Sequence, residues 1–176
     1  MAEDLKKYIR GVKDFPKKGI MFRDITTLLQ DPAALKSTTD SLYSNSKDLN
    51  ITKVVGIEAR GFIFGSLLAE KLNAGFVPIR KPGKLPAEKE SATYALEYGT
   101  DTIEIHKDAI KYGEKVLLHD DLLATGGTAR AAANLIEKLG GEVVQISFII
   151  ELLNLEGRKK LKNYDVKSLI KYETED

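Results

Sequence analysis

The chain has no cysteine, which excludes disulfides, thiolate metal sites and a cysteine nucleophile and fits a reducing compartment. Histidine is scarce: His106 and His119 cannot build a metal centre unaided. Neither charge is in excess, since 27 basic and 26 acidic residues leave a formal net charge of +1. No global field therefore pulls the chain onto nucleic acid or an anionic membrane, and any anion site must be local. No run approaches the roughly 18 apolar residues of a membrane span. The mixed-charge start "MAEDLKKYIRGVKDF" also lacks an apolar signal segment. These absences predict a cytoplasmic protein with neither nucleic acid nor membrane as partner. No repeat, low-complexity tract or linker divides the 176 residues, so a single domain over 1–176 is expected. Such a chain buries about 70% of its unfolded surface.

What is present alternates between two periods. Residues 2–10 read as a short amphipathic helix with Leu5, Tyr8 and Ile9 on one face, after which Pro16 and Gly19 impose an irregular segment. A second helix is expected from about Pro32. "TKVVGI" (52–57) reads as a buried strand, "GFIFGSLLAEKLN" (61–73) as a helix, "AGFVPI" (74–79) and "EKVLLHD" (114–120) as strands. Residues 126–139 return to helix, with Ala132, Leu135, Ile136 and Leu139 at helical spacing, and "EVVQISFIIEL" (142–152) follows as a strand. Repeated strand, helix, strand units predict an α/β fold, a central and mostly parallel sheet flanked by helices. "ATYALEYG" and "DTIEIH" alternate apolar and polar residues about the turn "YGTD", which predicts an antiparallel hairpin inserted into the series.

The chemistry concentrates in "VLLHDDLLATGGTAR" (116–130), a strand running through two aspartates into a Gly-Gly pair and a helix. A helix N-terminus beyond a parallel strand offers unpaired N–H groups to an anion. Thr125 to Thr128 can wrap a phosphate: Gly126 and Gly127 permit close backbone approach, and the threonine hydroxyls add donors. Asp120 and Asp121, acceptors when ionised, suit a diol or a hydrated metal ion beside that phosphate. Ribose 5-phosphate combines the two groups. The plainer alternative is a strand ending in solvated acids and an ordinary turn, and the missing lysine excludes a P-loop. "GIEARG" likewise joins a strand to a helix and forms a second anion site, with the Arg60 fork beside it, unless Arg60 merely lies along Phe62. "RKPGK" sets Arg80, Lys81 and Lys84 around a Pro-Gly turn, which is either a solvated basic loop or a partner for phosphates. Tyr94 reads as a half-buried strand residue, Phe22 as core, His119 as a satisfied strand histidine and His106 as solvent-facing.

"VLLHDDLLATGGTA" resembles the phosphoribosyl-pyrophosphate signature of the type I phosphoribosyltransferases. "DFPKKGIMFRDITTLL", "VVGIEARGFIFG", "VPIRKPGKLP" and "YALEYGTDTIEIHKDAI" are similar, in this order, to segments of the members that take adenine. The resemblance spans roughly residues 10–172 and implies the fold of that family, with a flexible β-hairpin hood (about 85–107) and a base-binding N-terminal segment (10–30). It implies transfer of the 5-phosphoribosyl group from phosphoribosyl pyrophosphate to adenine, giving AMP and pyrophosphate in purine salvage. Mg²⁺ is then carried by the diphosphate with no direct protein ligand, and the enzyme is a homodimer.

By the same resemblance, Asp120, Asp121, Ala124, Thr125, Gly126, Gly127 and Thr128 take ribose 5-phosphate. Glu58, Ala59, Arg60, Arg80 and Lys84 take pyrophosphate. Met21, Arg23, Leu123, Glu151 and Leu152 surround adenine, and Tyr98 belongs to the hood. Arg60, Lys84 and Glu97 are the implied catalytic groups. Ala124 stands where members acting on 6-oxopurines carry an aspartate. The alternatives are a phosphoribosyltransferase for another base, or a non-catalytic phosphoribosyl-pyrophosphate sensor that binds nucleic acid. The sensor needs a basic face or recognition helix that the balanced charge does not offer.

Overall fold

The computed structural model describes residues 5–96 and 99–173. Two short strands, β1 (Arg10–Lys13) and β2 (Met21–Asp24), pair antiparallel and lead into helices α1 (Thr26–Gln30) and α2 (Pro32–Ser46). Helix α2 starts where the sequence demands it. Pro32 stands in its first turn, and the Asp31 carboxylate accepts the Ala34 N–H at 2.8 Å. The chain continues through β3 (Lys53–Ile57), α3 (Gly61–Lys71), β4 (Gly75–Ile79), the hairpin β5 (Lys89–Ala95) and β6 (Thr100–His106), β7 (Lys115–Leu123), α4 (Gly127–Lys138), β8 (Glu142–Leu152) and β9 (Val166–Tyr172).

Five strands form one sheet in the order β4-β3-β7-β8-β9, each neighbouring pair parallel. Consecutive apolar residues go to opposite faces. Val55 and Leu118 join the core under α4, while Val54 and Leu117 join the core under α2 and α3. Coverage on both faces is why these strands read as continuous apolar runs. Each fully buried Leu or Val is worth about 1.5–3 kcal/mol.

The expectation for residues 2–10 is corrected, and two further elements come to light. Residues 2–10 are not one helix: Leu5 and Lys6 are helical, Arg10 already belongs to β1, and residues 2–4 lie outside the described residues. Leu5, Tyr8 and Ile9 do face one core. The irregular segment expected around Pro16 and Gly19 is the connection of the β1–β2 hairpin, whose four-residue strands are too short to show an alternation. Strand β9 was not expected either, because it is an edge strand whose Lys167 and Lys171 face outward and interrupt its apolar pattern.

The inserted hairpin forms a separate two-stranded sheet, hung from the main one by an antiparallel bridge between Arg80 and Glu104. Its base is part of the core, since Ile103 and Ile105 are 1% and 0% exposed and Ala92 and Tyr94 pack beside them. His106 is half-buried rather than solvent-facing, and its Nε2 accepts the Ala87 N–H at 3.3 Å.

Candidate active site

The connections set the site. From β3 the chain crosses over α3 to β4 on one side, whereas from β7 it crosses over α4 to β8 on the other. The carboxyl ends of β3 and β7 therefore diverge at a topological switch, where parallel α/β sheets hold their ligands. Residues Glu58 to Arg60 follow β3, and Ala124 to Gly126 follow β7. The Glu58–Ala59 peptide is cis. Gly61 lets the two ends close up: a Cβ there would lie 2.9 Å from the His119 carbonyl and 3.1 Å from Asp120 Oδ1.

Two hollows adjoin at the switch. One of about 70 Å³ is enclosed by the loop Ala124–Thr128 together with Asp120 and Phe148. The other, about 210 Å³, lies between Glu58–Arg60, the acidic pair, Lys81 and the hairpin residues Tyr94, Leu96 and Asp101. Thr128 borders both.

Charge in the larger cleft is paired. Arg60 Nε donates to Asp121 Oδ2, and its guanidinium lies 5.3 Å from the centre of the Phe22 ring, not beside Phe62. Burial alone would lower the Arg60 pKa, but the charge of Asp121 and its hydrogen bond raise it. Asp120 accepts the Asp121 N–H at 2.8 Å. Loss of water and the neighbouring Asp121 charge push the Asp120 pKa well above the usual carboxylate range. Glu58 accepts the Lys81 N–H at 2.7 Å and an Arg80 N–H at 3.2 Å, and the first of these leads in holding its pKa down. The Glu58 carboxylate thus ties the basic loop to the β3 end.

Lys81 was not singled out from its neighbours by sequence, yet it is the basic-loop side chain lining this cleft, ion-paired with Asp101. Arg80 turns to Glu58, and Lys84 is exposed with its charge felt at Glu58. Tyr94 is half-buried as expected but also reaches the loop: the Thr128 hydroxyl donates to its phenol oxygen at 3.0 Å, and the phenol donates to Asp101 at 3.2 Å. Burial leads in raising the Tyr94 pKa. Nothing in the alternation of β5 distinguishes such a residue from an ordinary strand tyrosine.

The N-terminal hairpin divides its side chains. Met21 and Arg23 share one side, both next to Gly11, with the Arg23 guanidinium 4.1 Å from the Tyr172 ring centre. Phe22, expected in the core, is half-buried and stands edge-on to Phe15 with centroids 5.1 Å apart. Leu123 is 1% exposed and Leu152 packs with the β9 side of the sheet. The Glu151 carboxylate is buried and engaged by Arg158 and Ser168, so it does not line either hollow. Glu97 and Tyr98 lie outside the described residues.

His119 is fully buried within β7. Its Nδ1 shares a hydrogen bond with the Ser147 hydroxyl at 2.8 Å, while Nε2 has no partner, so the expected satisfaction is half complete. Burial depresses its pKa to about 4, which keeps the ring neutral at pH 7.

An acidic pair and a glycine loop closing one strand, opposed by an arginine-bearing turn closing the next, define the phosphoribosyltransferase class. Residues 24–175 match the phosphoribosyl transferase domain. The chain is 60% identical over 169 residues to adenine phosphoribosyltransferase of Christiangramia forsetii, covering 96% of this chain and 99% of that one. The crystal structure of adenine phosphoribosyltransferase from Thermoanaerobacter pseudethanolicus superposes with a TM-score of 0.95 at 53% identity, over 98% of this chain and 100% of that one. The Giardia lamblia enzyme complexed with 9-deazaadenine superposes with a TM-score of 0.93 at 41% identity, over 98% of each chain. The chain belongs to the adenine phosphoribosyltransferase family.

Proposed function

We propose that the cleft carries out its family's reaction, transfer of the 5-phosphoribosyl group from phosphoribosyl pyrophosphate to adenine, through the following division of labour. The observation that carries it is the juxtaposition, at one topological switch, of the loop Ala124–Thr128 with the turn Glu58–Arg60. The loop takes the 5-phosphate on its N–H groups and hydroxyls, and Asp120 and Asp121 take the ribose hydroxyls. Glu58 to Arg60, with Arg80 and Lys84, take the diphosphate, and Lys81 joins them from its place in the cleft. Purine N9 bonds to ribose C1 as the bond from C1 to the diphosphate oxygen breaks. Positive charge grows on the sugar and negative charge on the leaving group, where Arg60 and Lys84 act. The N9 proton passes to a base, and Glu97 is assigned that part.

Adenine is met by main-chain groups around Met21 and Arg23, by Leu123 and Leu152, and by Phe22 as an aromatic wall next to Arg60. The neighbouring Giardia lamblia structure holds 9-deazaadenine, which supports a purine site in this fold. Tyr98 completes the hood over both substrates. Among the described residues no three His, Cys, Asp or Glu side chains group as a metal site. Mg²⁺ would therefore arrive on the diphosphate, whose oxygens would hold it, leaving the acidic pair to the ribose hydroxyls. Bound there, it neutralises the departing charge.

A homodimer is supported by Ile63 and Leu67, a helical turn apart on α3 and both exposed. A cytoplasmic location is supported by the cysteine-free composition. Release of pyrophosphate from phosphoribosyl pyrophosphate that depends on added adenine tests the assignment. Absence of that release from folded protein overturns it.

A further inference from the structure

Two glycine backbones touch beneath the phosphate loop. Gly126 has φ 79°, and a Cβ on it would come within 2.4 Å of the Gly157 carbonyl oxygen. A Cβ on Gly157 would in turn lie 2.3 Å from the Ala124 carbonyl oxygen and 3.1 Å from Gly126 N. Cβ atoms essentially never approach within 3.0 Å, so any side chain here forces the loop and its support apart by about 0.7 Å.

The support is itself anchored. Gly157 opens the 3-10 segment Gly157–Leu161, and the next residue ties that segment down. Arg158 donates to both Glu151 carboxylate oxygens, at 2.5 and 2.8 Å, and to the Val166 carbonyl at 2.9 Å. The Ser168 hydroxyl donates to the same carboxylate. Glu151 is paired in register with Leu123, the residue just before the loop. Arg158, Glu151 and Ser168 therefore hold the Gly157 backbone against the loop from the strands beside it.

We propose that Gly157, fixed by the Arg158–Glu151–Ser168 cluster, is a positioning residue for the 5-phosphate: it sets the direction of the loop N–H groups through backbone contact. This rests on the reading that Ala124–Thr128 binds the 5-phosphate. A displacement of about 0.7 Å takes an N–H donor from about 2.9 Å to about 3.6 Å, beyond hydrogen-bonding range, and about 1 Å of misplacement can cost 10²-fold in rate. The proposal also gives Glu151 a duty at the phosphate rather than at the base.

The test compares wild type with Gly157→Ala, Arg158→Lys and the loop variant Thr128→Val. Ribose 5-phosphate affinity is measured by calorimetry, and KM by steady-state kinetics. Arg158→Lys keeps the charge facing Glu151 but loses the fork and its reach to Val166. Gly157→Ala is expected to weaken ribose 5-phosphate binding and raise KM for phosphoribosyl pyrophosphate by about tenfold or more, with KM for adenine little changed. Arg158→Lys should shift the same two constants by a smaller factor, and carries the test alone if Gly157→Ala does not fold. Wild-type ribose 5-phosphate affinity in the folded Gly157 and Arg158 variants, with Thr128→Val weakened, overturns the proposal and leaves the loop assignment standing. Wild-type affinity in all three overturns both. An increase in KM for adenine alone places the cluster at the base and also overturns the proposal.

Discussion

Asp120 and Asp121 are adjacent yet answer to different surroundings. Asp121 is ion-paired with Arg60, whereas desolvation and its neighbour's charge drive Asp120 toward its neutral form. Replacing both with Asn should leave the melting temperature within a few degrees and lower kcat/KM by at least about 10²-fold, a loss of roughly 3 kcal/mol of transition-state contact. Near-normal turnover in the double variant would remove the pair from the site. His119 makes a separate prediction. Its folded pKa of about 4 lies below the ordinary histidine value of 6.5, so between these values the unfolded chain binds a proton that the native state excludes. Stability attributable to His119 is then complete above pH 6.5 and is lost as pH falls toward 4. Relative to His119→Leu, the wild type should lose up to about 1.4 kcal/mol per pH unit in that window. Asp120, whose shift has the opposite sign, is common to both proteins and drops out of the comparison. Parallel denaturation curves across pH 4 to 6.5 would contradict this account of the buried ring.

The β5–β6 hairpin combines core and cover in one element. Ile103 and Ile105 belong to the core, Tyr94 contacts Thr128, and Leu96 lines the cleft. Replacing residues 96–99 by a short Gly linker should leave the melting temperature nearly unchanged while turnover falls by at least about 10²-fold, because the closing part contributes little to the core. Ile103→Ala should instead cost about 2–5 kcal/mol in denaturant melts. Equal destabilisation by both changes would make the hairpin purely structural. Sequence periodicity located this hairpin, four of the five parallel strands and the longer helices, because each buries a regular apolar set. It did not locate β1 or β2, each only four residues long, or β9, whose apolar pattern lysines interrupt. At the site, the glycine loop and acidic pair were legible because backbone approach and carboxylates have local signatures. Lys81, Tyr94 and Phe22 were not singled out, since which of several similar neighbours faces a cleft is decided by strands distant in sequence.

At the scale of the whole molecule, the reversal of strand order between β3 and β7 brings the turns Glu58–Arg60 and Ala124–Gly126 together, and the hairpin strands arranged around them complete the cleft. On the proposed reading, base choice depends on a position where the chain has no charge. Ala124 cannot exchange a proton with purine N7, as an aspartate there could. Adenine's amino donor and ring-nitrogen acceptor can be met by main-chain groups near Met21 and Arg23. A site built on such hydrogen bonds leaves its polar groups unpaired against a 6-oxo analogue, a penalty that reaches about 10⁴-fold. The most direct measurement is a competition assay with adenine, hypoxanthine, guanine and xanthine at equal concentration, following nucleotide formation from phosphoribosyl pyrophosphate. The predicted result is a kcat/KM for adenine at least about 10³-fold above each of the others. Comparable turnover of any 6-oxopurine would contradict it.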